Sequence, residues 1–457
     1  MGTIRLTRRQ ALRGMLAIGG GAALMTACSG TTSTVSTTGT AAETPAAGEP
    51  AAAAEAIALR LMAWEGGIGN TKEINEITLP AFMDHNPTIK VKFEAPPWDE
   101  YWTKFQTLAA SGDLPDVYSE SIAYGWDHAN QGIALNLQPF IDATLNTDDY
   151  YMEMHLNGLR YPSMLHGDLY AFPVRWVGAL LFYNKDIFDA VGAAYPDDTW
   201  TYDDMLNAAQ TLTKVEGGKT VQWGMDPLVT DMLLDPMIKA NGGSVVSDDY
   251  RRCTITEPVA IESIQWSVDT IQTHKVAPSP ATKKGFAQGT FASQVVAMAV
   301  SGSWDCDTWR EADFAWDVTY IPKGKVSRKM GDGPDSLGIY KASTNKEAAW
   351  KLVEYWVSEE NQMRMGELPL GCVPFLRKAA ESPAFLDRPG SPSGLRALLD
   401  MAPDSTSDYG PQWMEWRATI MRNELDLAFL GERSVEESVQ AACVGVDQVL
   451  ASIEWPD

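Results

Sequence analysis

The chain has 457 residues, 45% hydrophobic and 21% charged, a composition that suits two or three domains with buried cores and excludes a disordered or collagen-like chain. Sixty acidic residues against 36 basic ones leave a formal net charge of −24, so the surface repels phosphate backbones and nucleic acid is not expected as a partner. Only one segment is apolar enough to enter a bilayer, which excludes a polytopic membrane protein.

That segment comes first. Residues 1–27 carry Arg5, Arg8, Arg9 and Arg13, no acid, and an apolar Gly-rich stretch from Gly14 to Ala27, the pattern of a signal peptide. The run Thr7-Arg8-Arg9-Gln10-Ala11-Leu12-Arg13 resembles a twin-arginine motif. Met25-Thr26-Ala27-Cys28 resembles a lipobox, with Met25 where Leu is commoner, and makes Cys28 the expected lipidation site. Residues 28–56 are Thr, Ser, Ala, Gly and Pro with almost no large apolar side chain, so they are expected to form a flexible tether. The expected location is the extracytoplasmic side of a membrane, periplasm or outer face, held by lipid at Cys28.

From Ala58 the pattern becomes α/β. Ala58–Trp64 reads as a short apolar strand, Ile74–His85 as an amphipathic helix, and Ile89–Phe93 as a half-exposed strand. Tyr101–Ala110 reads as a second helix, and Asp116-Val117-Tyr118 opens a third strand. This alternation predicts a parallel, doubly wound sheet whose ligands lie beyond the carboxyl ends of the strands. A second set follows: strands at Ala179–Asn184, Val221–Met225, Val295–Val300 and Trp316–Ile321, and helices over Trp200–Thr213 (capped near Thr201), Ala348–Val357 and Glu415–Phe429.

Catalytic and metal motifs are missing. The five histidines are scattered without a His-x-x-x-His pair, and there is no Cys-x-x-Cys, so neither a metal nor a cofactor is expected. Gly218-Lys219-Thr220 imitates the end of a P-loop, but Thr213 stands where its first Gly is required. Gly390-Ser391-Pro392-Ser393-Gly394 puts Pro392 where a nucleophile elbow needs Ser. After Cys28 the thiols are Cys253, Cys306, Cys372 and Cys443, and their spacing chooses no pairing.

Five passages, in order, resemble one family. They are Asn86-Pro87-Thr88-Ile89-Lys90-Val91, the run from Ala109 to Val117 (AASGDLPDV), Phe182-Tyr183-Asn184-Lys185-Asp186-Ile187-Phe188, the stretch from Gly285 through Gly302-Ser303-Trp304, and Ser343-Thr344-Asn345-Lys346-Glu347-Ala348-Ala349-Trp350. Together they are similar to the extracellular solute-binding proteins of carbohydrate ABC importers, the maltose-binding-protein-like group. The resemblance implies a two-lobed periplasmic-binding-protein-like fold, each lobe a mostly parallel sheet flanked by helices. It places lobe 1 at 57–172 plus 323–370, lobe 2 at 178–317 plus 375–457, and hinge crossings near 173–177, 318–322 and 371–374. It implies a monomer with no catalytic residues, partnered by a carbohydrate and by ABC permease subunits. A polyamine-type solute is the nearest alternative; a secreted glycoside hydrolase would need a convergent carboxylate pair.

Sugars present apolar C–H faces and hydroxyl rims, so their sites combine aromatic rings with planar polar side chains. The candidates by position are Trp64 and Glu65 after the first strand, Ser119 and Glu120 after the third, and Arg175 and Trp176 on the first crossing. Trp304 and Asp305 match the family's Gly-x-Trp stacking position. Asp332 and Asp335 stand in what reads as a Gly-rich loop, Gly331–Ser336, lining the cleft in relatives. Trp98, Tyr101, Tyr124, Trp126 and Trp413 are further candidates for which core packing competes. Trp200, Trp223, Trp350 and Trp356 read as core or surface-helix residues.

Overall fold

A short apolar run, buried on both faces at its end, forms the first strand. Ile57–Met62 (β1) buries Leu59, Leu61 and Met62 and pairs in parallel with Ile89–Glu94 (β2), from Ile57↔Ile89 to Met62↔Glu94. The computed structural model describes residues 56–161, 167–368 and 372–455. The expectations for residues 1–27, for Cys28, for nearly all of the 28–56 tether and for Gly371 of the third crossing lie outside them.

Between β1 and β2 runs a helix over 71–85 (α1). It opens at Asn70, whose side chain accepts from the amides of Lys72 and Glu73. Its middle, Ile74–Thr78, is π-helical. Trp98–Ser111 (α2) leads to Val117–Ser121 (β3), parallel to β1; Gly125–Asn130 (α3) follows.

The later strands are Ala171–Asn184 (β4), Lys219–Met225 (β5), Val296–Gly302 (β6), Trp316–Thr319 (β7) and Met330–Ile339 (β8). Sheet order is β2-β1-β3-β8-β4-β6-β5, closed by the short edge strand Lys214–Glu216. Pairs β1–β2, β1–β3 and β5–β6 are parallel, while β8 and β4 insert antiparallel to their neighbours.

β4 is the spine. Its first half, Ala171–Gly178, pairs with β8, and its second, Ala179–Tyr183, pairs with β6. The first expected crossing, 173–177, lies inside this continuous strand. The register slips there, because Arg175 faces Asp335 while Pro173 faces Ser336, leaving Val174 unpaired. Pro173 has no N–H to donate, and the Val174 carbonyl is taken by the Gln362 amide at 2.8 Å. The other two expected crossings also meet β4: Thr319 of β7 lies opposite Leu181, and Val373-Pro374 pairs with Trp176 and Arg175. Beyond it, helices Arg377–Ala380 and Pro383–Leu386 pack on Glu359–Glu367.

The loop expected at Gly331–Ser336 is corrected. Gly331–Ser336 is not a loop but the body of β8. None of its glycines adopts a left-handed conformation. Gly331 serves close approach instead, since a Cβ there would stand 2.0 Å from the Met232 carbonyl oxygen. Extended glycines in a crowded sheet and glycines in a turn have the same composition, so the residue types misled.

Among the helices, Tyr202–Leu212 (α4) starts at Thr201 with a reciprocal capping box to Asp204. Asp231–Ala240 (α5) follows β5. A disulfide joins Cys253 to Cys443, while Cys306 and Cys372 are free and buried. Trp350 and Trp356 are buried in the largest core cluster.

Candidate functional site

The largest concavity near the candidate residues forms where β5 and β6 end. β6 finishes at Gly302, and the chain turns through Ser303 and Trp304 into a short helix, Asp305–Thr308. The Trp304 indole folds back over Gly302, where a Cβ would lie 2.2 Å from the ring. That leaves Trp304 43% exposed, an uncommon state for a residue of its size. Beneath it is a cavity of about 530 Å³ whose lining includes Asp226, Thr230, Asp231, Trp304, Asp305 and Tyr409. Such a volume is in the range of small-molecule sites.

The polar groups of this wall are held in place. The Ser301 hydroxyl donates to Asp305 at 2.6 Å. Burial pushes the Asp305 carboxyl above the ordinary carboxylate range, and that hydrogen bond opposes the shift. Asp226 accepts from Lys283 at 2.8 Å and from Thr290 at 2.7 Å.

A water-sized cavity of about 10 Å³ adjoins the larger one, sharing Asp231, Met232 and Tyr409. Asp332 of β8, Asp408, Lys239 and Trp413 also line it. The close approach at Gly331 brings Asp332 here. Asp332 is 1% exposed, and both its carboxylate oxygens lack a hydrogen-bond partner. Burial pushes its pKa up to about 7; the Ser405 hydroxyl, close by but outside hydrogen-bond geometry, and the charge of Lys239 pull the other way without cancelling the effect. Lys239 is engaged elsewhere, 2.7 Å from Asp408. Asp235, behind, makes a bidentate pair with Arg417 at 2.7 and 2.6 Å.

Candidates from the other half of the sheet are gathered in a second place. Trp64 folds over Gly67, whose Cβ would stand 2.4 Å from the ring. Trp98, Tyr101 and Trp102 pack around Trp64, with centroids 4.9, 5.4 and 5.7 Å away. Trp64 is 8% exposed, Trp98 47%. Tyr101 is buried and donates to the Ser119 carbonyl at 2.6 Å. Ser119 and Glu120 do not follow the third strand as expected but are buried within it, because pairing with β8 carries β3 on to Ser121, and Glu120 lies 2.7 Å from Nδ1 of His128. Tyr124 stacks on Trp102 with centroids 4.0 Å apart. Glu65 is exposed.

Four candidates, Arg175, Asp335, Trp176 and Trp126, lie elsewhere. Arg175, on β4, donates to Asp335 at 2.9 Å and to the Gly66 carbonyl, tying the loop after β1 to β8. Trp176 is buried edge-on to Tyr151. Trp126 is buried against Tyr161 and Trp455.

Of the sequence candidates, Trp304 and Asp305 line the larger cavity, and Asp332 and Trp413 the smaller. Asp231, Thr230, Lys239 and Tyr409 were not singled out. The rule applied to other strand ends, carried past Met225 at the end of β5, leads to Asp226, Thr230 and Asp231. Tyr409 had no such signal, since it reaches the site by packing against core residues remote in the chain.

Comparison with known proteins follows this geometry. A family model described as bacterial extracellular solute-binding protein matches residues 68–363. A maltotriose-binding protein from Pyrococcus abyssi is 22% identical over 338 residues, 72% of this chain and 69% of that one. An ABC substrate-binding protein from Listeria monocytogenes, solved with cycloalternan, superposes with a TM-score of 0.77 at 23% identity, over 87% of this chain and all of that one. UgpB from Mycobacterium tuberculosis, solved with glycerophosphocholine, superposes with a TM-score of 0.73 at 19% identity, over 86% of this chain and 98% of that one. The fold is the two-lobed periplasmic-binding-protein fold.

Proposed function

Because the chain belongs to the bacterial extracellular solute-binding protein family, we propose that it captures a sugar or oligosaccharide between its two lobes and delivers it to an ABC import permease. The observation that carries this reading is the wall around Trp304. A flat, 43% exposed indole borders a cavity of about 530 Å³ together with Asp231, Asp305 and Thr230. The ring matches the C–H face of a pyranose, and the carboxylates and hydroxyl match its rim. Maltotriose and cycloalternan, both saccharides, are named for two of the compared proteins. β4 supplies the pivot, since one strand carries both halves and slips register at Pro173–Arg175. In this reading the carboxylates accept hydrogen bonds and no bond is broken.

A thermal-shift and calorimetric screen over mono- and oligosaccharides tests it. A ligand at 100 times its Kd raises stability by about 2.7 kcal/mol. A response to non-sugar solutes alone would overturn the carbohydrate assignment. That second reading, a polyamine or other non-sugar solute, has in its favour that the same fold holds glycerophosphocholine in UgpB.

The same proposal anchors the protein by lipid at Cys28 on the outer membrane face. Among the described residues no helix is long and apolar enough to cross a membrane. Cys28→Ser is expected to release the protein on fractionation, and continued membrane association would remove the lipobox from the account.

A further inference from the structure

We propose that the solute carries a protonated amine, which sits in the water-sized recess between Asp332 and Asp231. This rests on the solute-binding reading above and deepens it by naming the charge of the ligand.

All but three of the charges that border the two joined cavities have a partner of opposite sign. Lys283 is held by Asp226 and Lys239 by Asp408. Asp235 is held by Arg417. Three carboxylates remain without a basic partner: Asp231, Asp305 and Asp332. Among the described lining residues no lysine or arginine is left over. Asp305 has the Ser301 hydroxyl. Asp332 is the extreme case, because it is almost wholly buried and neither oxygen finds a donor. A buried carboxylate in that state is costly unless something donates to it.

The missing donor has a size. The recess lined by Asp231, Asp332 and Tyr409 holds about one water, and an ammonium group occupies similar space. It offers three N–H donors where two unpaired carboxylates wait, whereas a hydroxyl offers one. A metal ion fits less well, since among the described residues no group of three or more His, Cys, Asp or Glu side chains is arranged to hold one. An anionic solute is disfavoured for want of a free cation. An amino sugar satisfies both parts of the site: its ring lies on Trp304 in the wide cavity, and its ammonium reaches into the recess.

Calorimetric titration of the full-length protein at pH 7.5 with three probes tests this: a glucosamine oligomer, its fully N-acetylated counterpart, and spermidine. The amine form is expected to bind about tenfold or more tighter than the acetylated one. Asp332→Asn, and separately Asp231→Asn, are expected to erase that preference. Equal or tighter binding of the acetylated oligomer overturns the amine proposal and leaves the carbohydrate reading standing. Binding of spermidine with neither oligomer bound supports recognition of an amine and overturns the carbohydrate reading. A preference that survives in both Asn variants also overturns the assignment to this recess.

Discussion

Trp64 and Trp304 make the same local move in opposite halves of the sheet. Each follows an apolar strand, and each folds its indole over a glycine, Gly67 or Gly302, that has no Cβ to obstruct it. What surrounds them differs. Trp64 is covered by Trp98, Tyr101 and Trp102 and is 8% exposed; Trp304 stands 43% exposed above a cavity. An aromatic residue at the end of a strand is therefore not one kind of feature. In one half it is core whose outermost ring is Trp98, and in the other it is wall.

The strongest way to break this contrast is to truncate both rings. Trp64→Ala is expected to cost about 3–5 kcal/mol of folding stability, as for loss of a buried Trp. A denaturant midpoint close to wild type would show that Trp64 is not core.

Asp332→Asn is expected to move stability the other way. The folded carboxyl has a pKa of about 7 against an ordinary value of 3.8, so the folded state holds a proton that the unfolded chain has lost. Stability from this group is present below about pH 4 and is lost as pH rises toward 7. Lys239, Asp231, Asp235 and Asp408 line the same recess, and His155, which feels the charges of Lys239 and Asp408, is lowered by burial to about 4. The Asn variant is expected to be more stable at pH 8 by on the order of 2–4 kcal/mol, with little gain at pH 4. Chemical denaturation at the two pH values measures it; a pH-independent difference would remove the buried charge as its cause. Stabilisation together with lost affinity is the trade expected of a residue kept for binding.

Trp304→Ala is expected to cost about 1.5–3 kcal/mol of ligand affinity, roughly tenfold to a hundredfold, and to change folding stability by less than about 1 kcal/mol. A large fall in midpoint with unchanged affinity would make it the second Trp64.

The glycines give the finest comparison. Gly67→Ala drives a methyl into a ring that is hemmed in, and about 1–3 kcal/mol of stability is expected to go. Gly302→Ala meets a ring free to swing into solvent, so stability is expected to hold within about 1 kcal/mol while affinity falls, by less than in Trp304→Ala. If both substitutions destabilise equally, the two indoles are equally confined and the contrast fails.

Much of the architecture was legible in the residues. A short apolar run located β1, period-two alternation located β2, helical spacing located α1 and α2, and Thr201 marked the start of α4, because these depend on neighbours in the chain. The site was legible where it follows a strand end, as at Trp304 and Asp305. What the tertiary structure alone decided is set by distant partners. Burial of Trp64 and exposure of Trp98 depend on how α2 lies over β1. The extended conformation of Gly331–Ser336 depends on the flanking strands β3 and β4 and on the approach of α5. The unpaired state of Asp332 depends on Lys239 being drawn to Asp408. A sequence states which groups can bury or ionise; only the assembled packing determines which of them are left without water and without a partner.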